Sequence, residues 1–281
     1  VEITPIYGVK GQEANFIDYL SPKWMDMLDY TIHVADSLHM QVDMVLGTGW
    51  PYGGSHVTVA NAATKLIIEK YPLKKGETFD RNISLENKKE KNPAELLYVV
   101  AYGKDGSYIN LTDQLKKNQT KIKDKGIDGN AVEIPNQTEP NKLKWKAKKT
   151  DYTLYAVFSG KTGQQVKRAA PGGSGFTLDH YSQDAFNAYV VPFNNAFKGR
   201  EGKIRAVFND SYEVYGTDFT PKFFEEFQKL RGYDLKKELP ILLNETDGEI
   251  GNRIRSDYRQ TIGDLLLNKF DEPWTEWAHS K

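Results

Sequence analysis

The sequence predicts an α/β chain: part of a (β/α)8 TIM-type barrel, about four βα units long, with an inserted all-β subdomain. Three observations lead there. Short apolar runs near 2–7, 41–46, 175–179 and 203–208 alternate with segments of helical periodicity, the rhythm of parallel strands and crossover helices. Each run closes in polar or aromatic residues (Tyr7-Gly8, Thr48-Gly49-Trp50, Asp179-His180, Asn209-Asp210), and in a barrel such ends converge on the C-terminal face. Between about 73 and 160 the helical period is lost and Lys, Asn and turn residues dominate. An open doubly wound sheet would give the same alternation. However, neither GxGxxG nor GxxxxGK[ST] follows any strand, so the nucleotide-binding version loses its best marker.

The first part of the barrel is expected over 1–72. Ser21 is placed as an N-cap and Pro22 at the first helical position. Trp24, Leu28, Ile32, Ala35 and Leu38 then recur at helical spacing. "QVDMVLG" (41–47) returns as a strand and "TGWPYGG" closes it, a βαβ unit whose strands should run parallel. The inserted subdomain is expected over 73–160. "ELLYVVAYGKDGSYINLT" reads as a hairpin turning at Gly-Lys-Asp-Gly, and the Lys-rich stretches 114–125 and 142–149 read as solvated faces. The barrel is expected to continue over 161–281. There Ser182 caps a helix over 183–197, and Thr220-Pro221 opens a helix ended by Gly232. A long helix over about 249–270 runs on into "EPWTEWAHSK".

Composition narrows the function. The 281 residues hold 38 basic and 38 acidic side chains, without the basic excess of a nucleic-acid footprint. No apolar run reaches the roughly 20 residues that span a bilayer. There is no cysteine, which excludes disulfides, thiolate zinc sites and a cysteine nucleophile. Aromatic residues make up 12%, with 16 Tyr and 5 Trp; such rings stack on sugar faces and also fill cores. The chain opens directly in strand-like sequence, so a larger polypeptide is expected around it.

The chemistry falls on the strand ends. Asp210 and Glu213 follow the run 203–208. Glycosidic cleavage needs one carboxylic acid to protonate the leaving oxygen and a second carboxylate as base or nucleophile. Glu213, one turn past a strand, is well placed as the acid if its neighbours raise its pKa. The plainer alternative makes Asp210 a turn cap and leaves Glu213 facing solvent. Asp179-His180 could bind sugar hydroxyls, hold a metal or simply satisfy a loop. Tyr7 and Trp50 would offer apolar faces to a sugar, and Tyr212 sits beside the acid. No HExxH or EF-hand pattern occurs, so any metal would be gathered from scattered oxygens. "GGSGF" lacks the GxSxG elbow of a serine nucleophile.

Four segments in order, "VEITPIYG" (1–8), "GTGWPYGG" (47–54), "APGGSGFTLDHYS" (170–182) and "FNDSYEVYG" (208–216), resemble glycoside hydrolase family 106, the α-L-rhamnosidases. "FFEEFQKLRGYDL" and "RIRSDYRQT" add to the likeness. The resemblance implies a barrel catalytic domain within a larger exported bacterial protein, periplasmic or extracellular. It further implies inverting hydrolysis of terminal α-L-rhamnosides on plant-type polysaccharides or glycosides, and a calcium ion near the sugar. It carries the general acid to Glu213 of "DSYE" and places the base on a later strand beyond these residues. Two other readings stand beside it: a barrel glycosidase of other specificity, β-galactosidase-like and retaining, and a carbohydrate-binding protein without catalysis.

Overall fold

The computed structural model describes residues 1–86, 90–115, 121–125, 131–135, 141–209, 211–244 and 248–281. The chain divides into two compact units. Unit 1 comprises Val1–Ala63, Thr162–Thr217 and Gly263–Lys281; unit 2 comprises Thr64–Lys161 and Asp218–Ile262.

Unit 1 is built on a three-stranded parallel sheet. The strand Asp43–Val45 lies in the middle, with Glu2–Ile3 on one side and Ala206–Phe208 on the other. The helix Pro22–Ser37 makes the first crossover. Its start follows from local chemistry: Ser21 Oγ accepts the Trp24 N–H at 3.3 Å, and Pro22 fills a position where no amide donor is needed. Met25, Leu28, Ile32 and Ala35 form its buried stripe. Leu38, expected on that stripe, is exposed because the helix has already ended at Ser37. Ser182 caps its helix as expected, through the Ala185 N–H. The helix over 183–197 is split, Gln183–Tyr189 and Val191–Ala196, around Pro192, which has no N–H to continue the ladder.

The run 175–179 departs from expectation. Only Phe176–Thr177 is strand, and it pairs antiparallel with Gly53–Gly54 instead of joining the parallel sheet. The cause is close backbone approach. A Cβ on Gly53 would lie 2.3 Å from the Phe176 carbonyl oxygen, and one on Gly175 would lie 2.0 Å from that of Gly54. Four adjacent parallel strands are therefore not formed.

The core of unit 1 gathers Leu28, Ile32, Met44, Leu46, Leu178, Phe186, Phe193 and Phe270 with Tyr52 and Tyr189. The two tyrosine hydroxyls stay paired inside it. Tyr189 donates to the Leu46 carbonyl at 2.9 Å, and Tyr52 donates to the Phe208 carbonyl at 2.7 Å. Tyr52 also accepts the Leu46 N–H, tying the ends of two parallel strands together.

Unit 2 carries a four-stranded antiparallel sheet in the order Thr64–Leu73, Tyr152–Lys161, Ala94–Gly103, Tyr108–Asn110. The hairpin expected at Gly-Lys-Asp-Gly is present, with Gly106 at φ +81° where only glycine is unstrained. A second pair, Thr78–Ile83 with Asn141–Lys146, alternates cleanly: Leu143 is fully buried, while Lys142 and Lys144 face outward and pair with Asp80. The Lys-rich stretch 114–125 lies almost wholly outside the described side chains. Unit 2 differs in extent from the insertion read at 73–160. It begins at Thr64 and takes in Asp218–Ile262, expected in the barrel continuation. The helix Phe223–Arg231 buries Phe223, Phe224 and Phe227 completely, each worth roughly 1.5–3 kcal/mol over an exposed ring. It ends as read at Gly232, φ +83°. The helix Glu249–Leu266 continues through a π-turn, Leu267–Asp271, into Glu272–His279.

Candidate active site

The loop after the Asp43–Val45 strand turns back on itself at Gly49, where φ is +61° and a Cβ would stand 1.9 Å from the Lys167 carbonyl oxygen. That contact lets Trp50 and Lys167 exchange two backbone hydrogen bonds, of 3.1 and 2.7 Å. Tyr7 N–H reaches the Arg168 carbonyl at 3.1 Å. Two of the strand-end segments are thus laced to Lys167 and Arg168.

The segment after Ala206–Phe208 docks on the same lacing through one side chain. Gln164 donates its amide N–H to the Glu213 carbonyl at 2.6 Å and accepts the Tyr215 N–H at 2.7 Å. The Glu213 carboxylate then meets Lys167 Nζ at 2.8 Å and the Tyr215 hydroxyl at 3.1 Å. The Lys167 ammonium also stands 4.6 Å from the Tyr215 ring centre. The Lys167 hydrogen bond, aided by Tyr215, holds the Glu213 carboxyl below its ordinary range. Reciprocally, Glu213 raises the lysine. This reverses the expectation of a raised Glu213: no burial outweighs the ammonium beside it, and in this arrangement the side chain is a carboxylate.

Beside this pair the Arg168 guanidinium lies over two rings, 5.1 Å from the centre of Tyr7 and 5.9 Å from that of Trp50. Tyr7, Trp50 and Glu213 therefore share one partly open surface, together with Lys167, Arg168 and Tyr215, which sequence reasoning missed. The signal available was the basic pair Lys167-Arg168 just ahead of "APGGSG", in a segment without strand or helix signal.

Asp179 and His180 form a second, buried group, with the more exposed Tyr212 against the His180 ring. Asp179 is 2% exposed and accepts the Tyr181 N–H at 3.0 Å, the bond of a tight turn. His180 is equally buried, with Nδ1 2.9 Å from the Leu178 carbonyl and its ring against Tyr212 and Phe270. Burial pushes the imidazole pKa down to about 4, so it is neutral at ordinary pH, and its Nε2 has no partner among the described residues. Tyr212 donates to the Tyr181 hydroxyl at 2.8 Å, and burial raises its phenol. Asp179 and His180 are thus buried in the turn that follows Thr177. The two groups are joined at the Tyr212–Glu213 peptide. Asp210 lies outside the described residues. Nearby in unit 1, Asp271 is a carboxyl raised by burial.

Among the described residues no three His, Asp or Glu side chains are grouped to hold a metal ion. A cavity of about 400 Å³ lies in unit 2 between Leu66, Ile68, Leu242, Leu243 and Tyr258, with none of the expected site residues in its wall. No helix among the described residues is long and apolar enough to cross a membrane.

Comparison with known proteins places this geometry. Over 96% of its length the chain is 27% identical to a Formosa agariphila protein named "Putative beta-glucuronidase", and it spans 25% of that protein. The solved structure of a rhamnosidase from Novosphingobium sp. PP1Y superposes on 94% of the chain with a TM-score of 0.69 at 16% identity, which shows a shared fold; the chain spans 40% of it. The family model for glycoside hydrolase 106, alpha-L-rhamnosidase, matches residues 94–281, well over half of the chain and including Lys167, Arg168 and Glu213. The chain belongs to glycoside hydrolase family 106, the alpha-L-rhamnosidases.

Proposed function

We propose that this chain supplies part of the active site of an exported enzyme, periplasmic or extracellular, that hydrolyses terminal α-L-rhamnosides of plant-type polysaccharides or glycosides with inversion. Family membership supports the substrate class, and one observation carries the site: Glu213 follows a parallel strand and stands with Lys167 beside the rings of Trp50 and Tyr7. In this reading the parallel sheet is a segment of the barrel, and the catalytic base comes from the rest of a longer polypeptide, as do further contacts to the sugar. Inversion needs two carboxyl groups about 6.5–9.5 Å apart, with a water between the base and the sugar.

Glu213 is the proton-transferring carboxyl of this half. As general acid it has to be protonated when substrate binds, so the sugar must part it from Lys167 and bury it, both of which raise its pKa. Glu213→Gln keeps the shape and removes the proton. In the full-length enzyme the loss should be about 10²–10⁴-fold on rhamnosides with poor leaving groups and much smaller on activated aryl rhamnosides. An equal loss on both substrate types would assign Glu213 the base or a positioning role instead, and wild-type rates on both would remove it from the mechanism.

A further inference from the structure

We propose that Arg168 is a receptor for an anionic group on the glycan, a uronate carboxylate or a sulfate ester, carried on the sugar next to the rhamnose. The inference deepens the reading of Glu213 as the reacting centre and rests on it for the position of the scissile bond.

Unit 1 has three arginines. Two of them grip carboxylates in forked fashion: Arg200 holds both oxygens of Asp29, and Arg205 holds both oxygens of Asp43. Arg168 has no carboxylate partner among the described residues, although it is exposed and its guanidinium is held in place. The guanidinium carbon lies over both the Tyr7 and the Trp50 ring. A guanidinium presents its N–H donors as a flat fork, the shape that suits bidentate recognition of a carboxylate or sulfate. The backbone supports the placement. Arg168 has φ +53°, a left-handed conformation uncommon for a residue with a Cβ, and its carbonyl accepts the Tyr7 N–H. The turn breaks the alternation after Lys167, so consecutive cations serve different partners: Lys167 is spent on Glu213, and Arg168 rests on the rings. Among the described residues the patch thus carries one cation more than it neutralises. Trp50 lies under Arg168 and contributes to lowering the Glu213 carboxyl, so the anion site and the reacting centre are neighbours. Steering by such a charge favours an anionic ligand over a neutral one of the same shape.

The test uses the full-length protein and four probes: an α-L-rhamnosyl-uronate disaccharide, its uronate methyl ester, a sulfated rhamnoside and its desulfated form. Calorimetry gives each Kd, and turnover gives kcat/KM. The acid should bind about 10–100-fold more tightly than the ester, the range of a charge-assisted bidentate contact. Arg168→Gln should abolish that ratio, and Arg168→Lys should keep part of it. A preference for the sulfated form of the same size identifies a sulfate ester as the source; a preference confined to the uronate identifies the carboxylate. Equal binding of charged and neutral forms by the wild type, or an equal loss on both in Arg168→Gln, would overturn the proposal. If the wild type cleaves no rhamnoside, the hydrolase reading fails while the Kd ratio still decides the anion site.

Discussion

At the scale of the residue, the Glu213–Lys167 contact sets how the site answers to pH. The ammonium lowers the carboxyl, so removing it with Lys167→Gln should raise the Glu213 pKa. The direction of the change in the pH–rate profile then identifies the role. An acid works protonated, so its activity falls as pH rises through its pKa, and the alkaline limb moves to higher pH in the variant. A base works ionised, so the acidic limb moves to higher pH instead. The same pair acts on stability with a definite sign. Its folded pKa is depressed, so its contribution is present above the unfolded value of about 4.3 and is lost as pH falls through the folded value. Both residues are solvent-exposed enough for salt to weaken the effect. Lowering of Glu213 was hidden in the sequence because its cause lies 46 positions away, in a segment without strand or helix signal.

At the scale of the element, what was legible was what is locally determined. Ser21, Ser182, Gly106 and Gly232 each act within a few residues of themselves, and each sits where the sequence places it. Ser21→Ala should therefore cost about 1 kcal/mol, read as a shift in the denaturation midpoint without a change in slope. Strand pairing was only partly legible. Three runs became neighbours in one parallel sheet, and the fourth went elsewhere because Gly53, Gly54 and Gly175 admit a backbone contact that no periodicity announces. Gly49→Ala tests the same kind of contact at the site. The added methyl cannot coexist with the Lys167 carbonyl, so the lacing of Trp50 to Lys167 should open. Activity should then fall by more than tenfold, with a raised KM, while circular dichroism stays close to that of the wild type. Of the candidate site, Tyr7, Trp50 and Glu213 were read from their place at strand ends; their contacts with Lys167, Arg168, Tyr215 and Gln164 required the three-dimensional arrangement.

At the scale of the whole molecule, the chain spans a quarter to two-fifths of the length of the proteins it matches, and the proposed mechanism is incomplete within it. Residues 1–281 prepared alone should therefore show no rhamnoside turnover above about one-thousandth of the full-length rate, whereas comparable activity would place the base inside this chain. The division into units has a further consequence, for the order of events at the ribosome. Unit 1 draws on three stretches of the chain, the last being Gly263–Lys281, which brings Phe270, Trp274 and Trp277 against its core. Unit 2 has all of its residues by Ile262. During synthesis the second unit can close while the first, begun at Val1, still waits with its parallel strands partly uncovered. Within these residues the unit that starts earlier closes later, and that interval is when a chaperone would be needed most.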